Sequence, residues 1–188
     1  MLTQYEPAFP CQEADAGLRQ LASVHGHGSD RHYYRGGDVL TWGIALCQEF
    51  SSADDLAAAL RDPITAIPGW IASRHAGRRR SLDGPHADAS TGWAAPLLMI
   101  VAFDVPARTG PEVDAWYAQE HIPMLLRAPG WERARCYDGL RSQGPAHWTH
   151  IALHDLRDLD ALASPERAAA RSTAWRARLQ HGDTWFDR

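Results

Sequence analysis

The sequence predicts an α+β protein: two ferredoxin-like β-α-β-β-α-β units in one chain, their antiparallel sheets packed as an α/β barrel. Three observations lead there. A chain of 188 residues, 45% hydrophobic and 22% charged, suffices for one ordinary domain or two small halves sharing a core. Apolar strand-like runs alternate with Ala- and Leu-rich helical stretches, and that order can be read twice. Each unit covers one sheet face with its helices, so the other face needs a partner sheet, and the space between the sheets is the expected pocket. The expected division is a diverged first half at 1–82, a linker at 83–95 and a second half at 96–188.

The second half is the clearer. Residues 96–104 form a near-continuous apolar strand. A helix is expected over 111–127, with Pro111 in its first turn, Glu112 and Asp114 at its positive end, and Pro129-Gly130 as its stop. Strands are expected over 131–140 and 147–156. A second helix is expected over 158–179, and 183–186 reads as a short closing strand. In the 147–156 strand, alternation assigns Thr149, Ile151 and Leu153 to the helices and Trp148, His150 and His154 to the barrel interior.

The first half repeats this order less clearly. Strands are expected over 1–6, 32–35, 39–50 and 70–80, with helices over 12–24 and 52–66. Ser51 or Ser52 can cap the second helix, and Asp54 and Asp55 sit in its first turn. The segment 83–92 is a loop by composition. Phe50 to Pro63 has a shorter counterpart in Leu156 to Pro165, which supports an internal duplication.

Composition removes several function classes. The net charge is −4 and no basic helix or tail appears, so neither nucleic acid nor an anionic membrane is an expected partner. The longest strongly apolar run, 96–103, is too short to span a bilayer. The opening residues lack a leader pattern, so a cytoplasmic protein is expected. All 19 basic residues are Arg, which removes lysine Schiff-base and P-loop lysine chemistry. Cys11, Cys47 and Cys136 form no CxxC pair. His150 and His154 lie about 13 Å apart along a strand, too far to share one ion, and neither metal nor cofactor is expected. The triplet Arg78-Arg79-Arg80 reads as a solvated charge cluster.

The most informative stretch is Trp116-Tyr117, Glu120-His121 and Pro123, followed by Pro129-Gly130, Arg135 and Tyr137. It resembles the EthD-type family of the dimeric α/β-barrel superfamily, whose first helix carries a similar Trp-Tyr-x-x-Glu-His-x-Pro pattern before a Pro-Gly turn and a strand. The resemblance covers about residues 96–185. It implies a small apolar or aromatic organic ligand and a setting in oxidative catabolism or secondary metabolism.

Helical spacing places Val113, Trp116, Tyr117, Glu120 and Met124 on one stripe, with His121 at its edge. Pro123 frees the carbonyl of Gln119 and loosens the helix there. One reading gives His121 the role of proton carrier, Glu120 that of tuning it and Tyr117 that of oxyanion donor. Trp116, Asp104, Arg135, Tyr137, His150 and His154 are the expected substrate-binding residues. The alternative is a structural role for Glu120 and His121. At the level of function, cofactor-free proton-transfer or oxidative chemistry stands beside a non-catalytic binding protein serving a partner oxidative enzyme. A chain that closes its own barrel is expected to be a monomer, or a homodimer through outer surfaces.

Overall fold

The computed structural model describes residues 2–7, 31–37, 42–48, 50, 52–64, 70–83, 95–144 and 147–182. They fall into two compact units, one comprising Met1–Gly77 with Leu140–His147, the other Arg78–Gly139 with Trp148–Arg188. The expected helix over 12–24 and the closing strand over 183–186 lie outside the described residues.

In the first unit, β1 (Leu2–Pro7), β2 (Arg31–Gly37), β3 (Trp42–Gln48) and β4 (Trp70–Asp83, which continues into the second unit) are ordered β2-β3-β1-β4. β1 lies antiparallel between β3, with Thr3 opposite Leu46, and β4, with Thr3 opposite Arg74. The helix α1 (Ala53–Ala59) is shorter than the expected 52–66. Ser52 caps it, its hydroxyl accepting from the Asp55 amide at 3.1 Å. None of its residues is buried, so no packing extends it toward Pro63.

In the second unit, β5 (Leu97–Phe103), β6 (Trp131–Gln143, whose last residues belong to the first unit) and β7 (His150–Leu156) are ordered β6-β7-β5, all antiparallel. Both units thus place their first strand beside their third, and their third beside their second. A register shift between Trp131 and Arg133 bends the start of β6.

The expected 111–127 helix divides into three. α2 (Gly110–Trp116) leads into a π-helical turn (Tyr117–His121), and α3 (Ile122–Leu125) completes it. Pro123 cannot donate to the Gln119 carbonyl, and the Ile122 amide reaches back five residues to Tyr117. The expected 158–179 helix also breaks, into a 3₁₀ turn (Leu159–Ala163), α4 (Pro165–Ala170) and α5 (Ala174–Gly182). Each break carries a cap. The Ser164 hydroxyl accepts from the Arg167 amide with Pro165 behind it, and Thr173 Oγ1 accepts from the Arg176 amide.

The helices lie on one face of this sheet. Ile122, Leu125, Ala128, Trp131, Ala134, Cys136, Ala152 and Leu156 form one buried cluster, and Val105, Val113, Trp116 and Leu179 form another. The facing expected for β7 is therefore reversed. Ala152, His154 and Leu156 meet the helices, and His150 Nε2 reaches Asp114 of α2 at 3.0 Å. Ile151, Leu153 and Asp155 take the opposite face. Both faces are buried, so alternation of apolar and polar residues carried no directional signal in this strand.

On that opposite face Arg135 forms an ion pair with Asp155, the two side chains 1% and 3% exposed. Burial raises the Asp155 pKa and Arg135 opposes the rise, so desolvation outweighs the partner's attraction. Gly130 serves packing. A Cβ there would lie 2.9 Å from that of Ala161 and 3.2 Å from Asp158 Oδ1, in the 3₁₀ turn and its cap. Among the described residues, no helix is long and apolar enough to cross a membrane.

Two outcomes in urea unfolding follow. Asp155→Asn should cost about 3–5 kcal/mol by removing the negative charge that faces buried Arg135, while Arg135→Met with Asp155→Leu should recover most of the loss. Gly130→Ala should cost about 1–3 kcal/mol by crowding Ala161.

Candidate functional site

Between the helices and the sheet of the second unit lies a cavity of about 260 Å³. Met99, Val101 and Phe103 of β5, Trp131 of β6 and His154 of β7 form its sheet wall. Trp116, Tyr117, His121 and Leu125 come from the divided helix, and Arg167, Arg171 and Arg176 from α4, its C-terminal end and α5. It exceeds the ~150 Å³ that holds a benzene and approaches the range of small-molecule sites. This pocket lies on the helix side of the sheet, not on the opposite face from which a barrel interior was expected.

The π turn builds one wall. Residues five apart diverge by about 140° on an α-helix, but this wider turn brings Trp116 and His121 together. Their rings stack at 4.4 Å and 29°. Tyr117 lies edge-on to Trp116 at 4.9 Å and tilts against His121 at 5.2 Å.

Hydrogen bonds then decide which nitrogen of each histidine carries the proton. His121 Nδ1 is 3.2 Å from the Ala170 carbonyl, which can only accept. Nδ1 is therefore the donor, and in the neutral ring Nε2 keeps its lone pair. His154 is the reverse. Trp131 Nε1 can only donate, and it lies 3.1 Å from His154 Nδ1. The His154 proton is on Nε2, which is buried and has no hydrogen-bond partner among the described residues.

Both rings are held neutral. Desolvation lowers the His121 pKa to about 4, with Arg176 and Arg171 adding to the fall and the Ala170 carbonyl and Glu120 opposing it. Desolvation, with His121 nearby, lowers that of His154 to about 3. Burial raises the Tyr117 pKa, so its phenol stays protonated. The cavity wall thus contains one imidazole with a bare Nε2 and one, wholly buried, with a protonated Nε2.

Four of the residues singled out from sequence, Trp116, Tyr117, His121 and His154, line this cavity. Glu120 does not line it. That side chain is half-buried, and Oε1 has no hydrogen-bond partner among the described residues. Asp104 is exposed, and Arg135 is engaged with Asp155 on the far face. Tyr137 and His150 line a separate small recess with Asp114 and Tyr117.

Sequence reasoning missed Trp131 as the partner of His154, and it missed all three arginines. The spacing of Arg167 and Arg171, four residues apart, was a readable signal. A single long helix over 158–179 hid it. Among the described residues, no group of three or more His, Cys, Asp or Glu could hold a metal ion.

An antiparallel sheet with helices packed on one face makes this unit an α+β fold. A solved anthrone oxidase-like protein is 14% identical, with a TM-score of 0.59 over 96% of this chain and 84% of that one. Two further structures are provisionally named monooxygenases. One, from Fusobacterium nucleatum, is 7% identical with a TM-score of 0.46, covering 96% of this chain and 84% of its own. The other, from Lactobacillus acidophilus, is 10% identical with a TM-score of 0.47, covering 96% and 85%. No family profile matches the chain, and no curated protein matches it.

The neutral histidines make stability depend on pH. Each folded pKa lies below the ordinary 6.5, so on acidification the unfolded chain takes up protons first. Their contribution is present above about pH 6.5 and is lost as pH falls through about 4 for His121 and about 3 for His154. Urea unfolding should show a loss of roughly 3 kcal/mol between pH 6.5 and 5. A flat profile in that window would contradict neutral burial of both rings.

Proposed function

We propose that this chain is a cofactor-free enzyme that removes a proton from an acidic carbon of a small aromatic ketone and thereby opens that carbon to oxidation. The carrying observation is the pair of histidines in one cavity with opposite tautomers. In this reading His121 Nε2 takes the C–H proton. The electron pair moves onto the ketone oxygen, where the Nε2–H of His154 stabilises the enolate, and the Tyr117 phenol is a second donor. Trp131 and the Ala170 carbonyl are positioning groups, each fixing one tautomer. A base with a pKa near 4 suits only a carbon acid whose anion is well delocalised, which favours a methylene beside aromatic rings.

With dioxygen as co-reactant the step balances. The methylene carbon becomes a carbonyl carbon, one oxygen atom becomes its oxygen, and the other leaves as water with both hydrogens. The anthrone oxidase-like neighbour agrees with this class of chemistry, although at 14% identity its support is for the fold. EthD-type kinship and an origin by duplication belong to the same proposal. The Trp116-Tyr117 and Glu120-His121 pattern supports the first, and the strand order common to both units supports the second.

Anthrone serves as a probe. In heavy water the protein should catalyse exchange of its methylene hydrogens, followed by NMR. His121→Gln should lower the exchange rate by about 10²-fold or more while the far-ultraviolet dichroism is unchanged. The acid limb of the wild-type profile should fall near pH 4. Exchange that is equally fast in His121→Gln would remove the base from the mechanism and favour a binding protein that serves a partner enzyme.

A further inference from the structure

Three arginines line the cavity, and none of its described lining residues is acidic. The arginines are held by local structure. Arg167 Nη1 donates to the Leu162 carbonyl at 2.7 Å, and Arg176 Nη1 donates to the Arg171 carbonyl at 2.6 Å. Arg167 and Arg176 are half-buried, whereas Arg171 is exposed and therefore marks the opening. Burial, together with the neighbouring Arg171 charge, lowers the pKa of Arg167 and of Arg176, as expected where like charges crowd. The lining also includes Met99, Val101 and Leu125, and His154, 0% exposed, its Nε2–H without a hydrogen-bond partner among the described residues.

A wholly neutral ligand would bring nothing of opposite charge to Arg167 and Arg171. An acid group would be met by planar donors that match a carboxylate. We infer that the ligand of this cavity is an aromatic carboxylic acid of about two or three fused rings. Its carboxylate lies between Arg167 and Arg171 at the opening, and a keto or phenolic oxygen at its other end accepts from His154. A phosphate ester fits less well, because the Ser164 hydroxyl already occupies the Arg167 amide at the start of α4, so no free backbone cradle is offered there. This inference rests on the cavity being a ligand site, as the proposed function requires, and it names the substrate class of that site.

The test is equilibrium titration of the full chain at pH 7 and low salt, read by ligand fluorescence, with 6-hydroxy-2-naphthoate, 2-naphthol and 2-naphthyl phosphate. The carboxylate should bind roughly tenfold or more tightly than 2-naphthol. In the Arg167→Gln/Arg171→Gln double variant that advantage should shrink to about threefold or less, with 2-naphthol affinity unchanged. Should the double variant not fold, Arg171→Gln alone, at an exposed position, should still cut the advantage by about half or more. Equal affinity for acid and alcohol, or an advantage untouched by these substitutions, would overturn the inference and leave the ligand cavity standing. Tighter binding of the phosphate would overturn the carboxylate assignment. No binding of any of the three would overturn the ligand cavity itself, and the inference with it.

Discussion

The wide turn at Tyr117–His121 is the constraint on which the site depends. A missing amide at Pro123 forces the chain to close its hydrogen bond over five residues. Trp116, buried and fixed among Val105, Val113 and Leu179, thereby comes to stack on His121. The histidine is then aimed at Ala170 of another helix, and that contact sets its tautomer. A regular α-helix with the same sequence would swing the imidazole away from both.

The second constraint is a matched pair of one-way hydrogen bonds. A carbonyl that can only accept and an indole that can only donate leave each histidine no choice of proton position. Burial removes the remaining freedom by keeping both rings neutral. The cavity wall thus combines neutral, directional imidazoles with the formal positive charge of three arginines.

Much of this architecture was legible in the sequence. Apolar runs located β5, β6 and β7 to within a few residues, and the motif helix was found with Trp116, Tyr117 and His121 on it. The breaks were less legible. Ser164-Pro165 and Thr173 are ordinary cap signals, but the Ala- and Arg-rich composition of 158–179 outweighed them, and three cavity arginines disappeared into one long helix. In β7, Ile151, Leu153 and Asp155 are as buried as Ala152 and His154, so alternation could not say which side faced the helices. Alternation along β6 puts Arg135 with Tyr137 among the ligand groups; only the position of Asp155 reveals the buried ion pair.

The double commitment of β7 has a consequence for how such a protein can change. One face carries the histidine of the cavity and the other the acid of a buried ion pair, on adjacent residues. An insertion or deletion of one residue would exchange the two, sending a carboxylate into the cavity and an imidazole against Arg135. The strand is therefore closed to length variation and open only to substitution. The arginines, by contrast, sit on short, separately capped segments joined by turns, where residues can be gained or lost one segment at a time. The arginines of the cavity can therefore shift in this fold while its histidines stay fixed.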